Sequence, residues 1–149
     1  MNRFIFADDI PDAIAGLIKE PLEKLDWLLP LWCQRCNVDY IDHNEDSDMR
    51  NGALASCVCY YEYRVLRLYI YPRFVSQDAA RQSEVLTHEL IHGHVNQLFN
   101  FAHAELNRLV PAEESPAHNG TLIEQLREHC ESTTQDLTIA ILRLLKEKG

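Results

Sequence analysis

The sequence predicts a single α+β domain over residues 1–149, a small antiparallel or mixed sheet packed against one long helix and a C-terminal helix. Three observations predict it. Two β-rich runs, Ala53 to Tyr63 and Val65 to Tyr71, follow one another in mid-chain. From Ser76 towards Leu109, apolar residues return at helical spacing, and after a polar loop a second apolar stripe continues to Lys148. A chain of 149 residues, 46% hydrophobic and 25% charged, is long enough to bury a core without disulfide or metal staples.

Taken in order, the chain begins with two helical pieces, Asp12 to Lys19 and Pro21 to Leu29, with Ile14, Leu17, Ile18, Leu22, Leu25, Leu28 and Leu29 as a covering face. Pro11 and Pro21 suit the first turns, and Pro30 stops the second piece. Val38, Tyr40 and Ile41 mark a strand before a polar loop from Asp42 to Gly52. That loop lacks the glycine and terminal glutamate of a calcium loop at the required offsets, so it reads as a solvated turn. Leu66, Leu68 and Ile70 alternate with Arg67, Tyr69 and Tyr71, the period of a strand with one buried face. These short strands read as antiparallel. If Val65 to Tyr71 is a sheet edge, its open backbone groups could pair with an extended peptide. Ser76 is the expected cap of the long helix, with Asp78 in its first turn and Pro111 beyond its end. Pro111 to Gly120 reads as a loop, and a last helix runs from about Thr121 to Lys148, with Leu122, Ile123, Leu126, Leu137, Ile141, Leu142 and Leu145 as its stripe.

The long helix carries Thr87-His88-Glu89-Leu90-Ile91-His92-Gly93-His94. Helical residues four apart share a face, so His88 and His92 can offer two imidazole nitrogens to one metal ion. Glu89 then stands where it can take a proton from a water held by that ion, as in a zinc-dependent hydrolase. Catalytic zinc takes three protein ligands, and the candidates for the third are His94, His103, His118, Glu124, Glu128, His129 and Glu131. In a regular helix His94 points away from the ion, and His103 lies about three turns further along. Leu98 stands where the extended metzincin pattern needs a histidine.

Residues 87–122 resemble the SprT-like and related WLM-type minimal zinc peptidases, in which a compact HExxH helix is followed, after a loop, by a histidine opening the next helix. The corresponding stretch here is His118-Asn119-Gly120-Thr121-Leu122. The resemblance implies a zincin-like fold, His118 as third ligand, and peptide hydrolysis with Zn2+ as cofactor and a protein or peptide as substrate. No cysteine-rich ribbon follows, so the cleavage of DNA-crosslinked proteins known in that family is not implied. A second resemblance is to the gluzincins, whose third ligand is a helical glutamate. Glu131, with Gln135 or Asp136 beside it, would serve, and Glu128 is the spare candidate. A zinc-binding interaction module without catalysis, and a helical protein without metal, are the competing classes.

The net charge of -9 argues against general attraction to nucleic acid or anionic lipid. No apolar run approaches the roughly 18 residues that span a bilayer. The acidic turn at Asp8 and Asp9 does not suit a signal peptide, so a cytoplasmic location is expected. Five cysteines are an odd number. Cys33 with Cys36, and Cys57 with Cys59, could supply four thiolates to a second zinc, or could be ordinary buried residues.

Overall fold

The computed structural model describes residues 2–42 and 52–148, so most of the polar loop read above as a solvated turn lies outside the described residues. The chain divides into two compact units, Met1–Gly93 and His94–Gly149. The first holds the sheet. Strand β1 (Phe4–Phe6) leads into helix α1 (Asp12–Lys24), a 3-10 turn (Asp26–Leu28) and strand β2 (Arg35–Tyr40). Strand β3 (Ala55–Tyr60), a second 3-10 turn (Tyr61–Tyr63), strand β4 (Val65–Ile70) and the one-turn helix α2 (Pro72–Val75) follow. Helix α3 (Ala79–Leu109) runs through the boundary between the units, and helix α4 (Pro116–Lys148) completes the second.

The α+β class agrees with the sequence, and the sheet is mixed, in the order β1-β2-β4-β3. β1 runs parallel to β2 and β2 parallel to β4, while only β3 and β4 pair antiparallel. The condition that Val65 to Tyr71 forms a sheet edge is not met, because the strand is central. β2 and β4 are joined through β3, so β4 returns alongside β2 and is paired on both sides. The open edges belong to β1 and β3. β1, only three residues long, was not anticipated. It feeds the crossover through α1 that parallel pairing requires.

α1 also differs from its expectation, because Pro21 lies inside one continuous helix. The proline removes a bond to the Leu17 carbonyl, yet Ile14, Ile18 and Leu22 fall on one buried stripe only if the helix keeps its phase through residue 21. Each such side chain contributes about 1.5–3 kcal/mol on full burial, which offsets the lost bond. The chain then bends beneath Arg3. The Arg3 guanidinium donates to the carbonyls of Pro30 (3.0 Å), Cys33 (3.1 Å), Leu29 (3.3 Å) and Asp26, and its backbone N–H to Asp26 Oδ1 (2.7 Å). One cation therefore fixes the whole 26–33 segment.

By register, Phe4, Cys36, Leu66 and Cys59 form one row across the sheet, and Val38, Leu68 and Cys57 the next. Cys36, Val38, Leu66, Leu68 and Ile70 are fully buried. The opposite face carries the exposed Arg35 and Arg67. α3 covers the buried face with Val85, Leu86, Leu90 and Ile91. Its N-terminus is capped by Asp78, whose Oδ1 accepts from Arg81 N–H at 2.8 Å, and not by Ser76, whose hydroxyl turns back to the Arg73 carbonyl at 3.0 Å.

In the second unit, α4 begins at Pro116, five residues earlier than the pattern suggested, because proline suits a first helical position. Asn119 ties it to the end of α3, donating to Asn107 Oδ1 (2.8 Å) and the Val110 carbonyl (2.7 Å). Among the described residues, no helix is long and apolar enough to cross a membrane.

Candidate metal centre

Gly93 sets the depth of the motif helix. A methyl group built there would stand 2.9 Å from Pro30 Cγ and 3.0 Å from Leu66 Cδ1, so only glycine lets the backbone approach the sheet this closely. The Trp32 indole N–H donates to the Gly93 carbonyl at 3.1 Å, and the Trp32 ring packs on Tyr61 with centroids 4.7 Å apart. Thr87, fully buried, satisfies its own hydroxyl by donating to the Ser83 carbonyl at 2.8 Å.

On the helix so held, His88 and His92 stand one turn apart, ring centroids separated by 4.7 Å and planes crossing at 81°. The ligand atoms of His88, Glu89 and His92 all lie within 4.8 Å of one another, and none of the three residues is exposed. Two imidazoles and a carboxylate suit a borderline cation such as Zn2+. The donor set therefore fits a divalent metal on the residues themselves.

His118 and Glu131, the two readings of the third ligand, both belong to α4 in the second unit. His118 is exposed and already helical, two residues past Pro116, where it was expected at a loop-to-helix junction. Among the described residues the buried positions of α4 are Asn119, Thr134 and Thr138, and Glu131, like His118, is exposed. His94 is exposed.

Tyr69 lies on the open face beside Arg67, and the Tyr71 hydroxyl is occupied by Ser56 Oγ at 2.7 Å, so neither projects towards the motif. Tyr61 was not foreseen. Its hydroxyl is buried without a hydrogen-bond partner, and burial together with the Cys59 and Cys57 thiols holds its pKa well above the usual phenol range.

The four cysteines of the expected second zinc site do not converge. Among the described residues His88, Glu89 and His92 form the one group of three or more ligand side chains close enough to share an ion, and no such group contains a cysteine. Burial raises the pKa of Cys33 and Cys36. Cys57 is raised first by its hydrogen bond with Cys59, then by burial, with the Glu89 carboxylate adding to it. β3 thus stands within electrostatic reach of the motif, a neighbour that no local sequence signal disclosed. Among the described residues no cysteine forms a disulfide. No protein-family model matches the chain, and neither the curated proteins nor the solved structures contain a significant match to it.

Proposed function

We propose that the protein is a zinc-dependent metallopeptidase with a zincin-like arrangement, in which His88 and His92 hold the ion and Glu89 is the general base. The observation that carries this reading is the convergence of the three side chains within 4.8 Å on a helix pinned to the sheet at Gly93. His88 and His92 would hold the ion, which when bound would supply Lewis acidity and lower the pKa of water. Glu89 is placed to accept a proton from the attacking water and to return it to the leaving amine.

The open edge of β3 supports the substrate side of the proposal. β3 is unpaired beyond β4 and Cys57 lies within the field of Glu89, so an extended peptide added to this edge would run past the general base. The edge strand invoked for substrate is therefore β3 in place of Val65 to Tyr71. For the third ligand, His118 and the gluzincin-type alternative Glu131 both stand at exposed positions of α4, so burial does not choose between them.

Hydrolysis of an unstructured protein such as casein, followed by mass spectrometry, tests the reading. Wild type is expected to cleave. Glu89→Gln is expected to retain the metal and lose at least about a hundredfold in rate, the usual scale of general-base removal. Zinc-loaded wild type that cleaves no peptide across a broad library would instead support a zinc-binding interaction module.

A further inference from the structure

Cys57 and Cys59 lie on the buried-face side of edge strand β3, and neither has a place in the proposed hydrolysis. Their geometry is unusual for neighbours on a strand. Residues i and i+2 of a β-strand are about 6.8 Å apart, at about 3.4 Å per residue. The two sulfurs are only 3.9 Å apart, so both side chains lean towards each other. Two thiolates bound to a tetrahedral cation at about 2.3 Å span about 3.8 Å. The pair already has that bite.

A disulfide fits less well. It needs sulfurs about 2.05 Å apart and Cα atoms no more than about 6.8 Å apart, which a strand reaches only at its limit. The surroundings also favour a cation. The Glu89 carboxylate acts on Cys57, and the Tyr61 hydroxyl, acted on by both thiols, is a buried oxygen with no hydrogen-bond partner. Half-buried rather than sealed, both cysteines leave an approach for an ion. Leu66 separates Cys59 from Cys36, which confines the site to this pair.

We propose that Cys57 and Cys59 chelate a thiophilic divalent cation, zinc or cadmium, beside the HExxH motif, with the Tyr61 hydroxyl as the neighbouring oxygen donor. Two S–H bonds break, two metal–sulfur bonds form, both protons leave to solvent, and no electron is transferred. The site is separate from the one formed by His88 and His92.

Cadmium alone is the probe, titrated into metal-stripped full-length protein while the ultraviolet thiolate-to-cadmium charge-transfer band is followed. A His88→Ala/His92→Ala variant is expected to keep the band. Cys57→Ser/Cys59→Ser is expected to lose it and to bind this cadmium at least tenfold more weakly, while Cys33→Ser and Cys130→Ser keep it. Circular dichroism checks that the double serine variant is folded. If it is not, X-ray absorption on cadmium-loaded His88→Ala/His92→Ala counts the sulfur neighbours directly. Two sulfurs support the proposal. An undiminished band in folded Cys57→Ser/Cys59→Ser, or cadmium without sulfur neighbours, overturns it. Because the His88→Ala/His92→Ala variant carries the test, it fails or succeeds independently of the peptidase reading.

Discussion

Gly93 is the residue on which the position of the motif helix turns. In an ordinary helix, alanine in place of glycine gains up to about 1 kcal/mol. Here the added methyl would press on the rigid ring of Pro30, and overpacking of that kind costs about 1–3 kcal/mol. Gly93→Ala is therefore expected to lower stability in a denaturant titration and to weaken metal binding, because His92 is the adjacent residue. A variant as stable as wild type would show that the close approach is unimportant. At this scale the sequence was informative about chemistry and silent about support. His88, Glu89 and His92 were legible because helical periodicity alone places them together. The roles of Pro30, Trp32 and Tyr61 were not, since they depend on which segments cross the helix.

At the scale of elements, local pattern again served where periodicity decides and failed where pairing decides. The alternation from Leu66 to Tyr71 gave β4 and its buried face correctly. Strand order is a non-local property, and β4 proved central because β3 folds back outside it. Pro21 read as a break because the covering face that overrides it belongs to the folded state. The 26–33 segment makes one prediction about stability and the buried thiols of the sheet another. Arg3→Met would leave carbonyls of Asp26, Leu29, Pro30 and Cys33 without their donor, at a cost of about 2–3 kcal/mol in chemical unfolding. No measurable change would mean that the segment holds its course without the guanidinium. The thiols beneath the sheet set an alkaline limit. Burial raises Cys36, and the hydrogen bond with Cys59 followed by burial raises Cys57. A group whose pKa is raised on folding contributes its full stabilisation below the unfolded value, about 8.5 for a thiol, and loses it as pH rises further. Unfolding free energy is expected to fall above about pH 8.5, and less steeply in Cys57→Ser. A pH profile flat to pH 10 would contradict the assignment.

For the whole molecule, the α+β class and the motif-bearing helix were readable in advance, while the third metal ligand was not. Two chemically competent residues, His118 and Glu131, stand on one helix, and a linear pattern cannot say which side of that helix is buried. Both are exposed, so burial leaves the choice between the SprT-like and gluzincin-type ligand to experiment. The central claim is the metal proposed to be held by His88 and His92. Elemental analysis of protein purified without added metal tests it most directly, comparing wild type with His88→Ala/His92→Ala, His118→Ala and Glu131→Ala. With Cys57 and Cys59 replaced by serine in every protein compared, the account predicts about one zinc per chain when the motif is intact and its loss in the double histidine variant, the third ligand being whichever of His118→Ala and Glu131→Ala loses it too. Zinc content unchanged in His88→Ala/His92→Ala would contradict it.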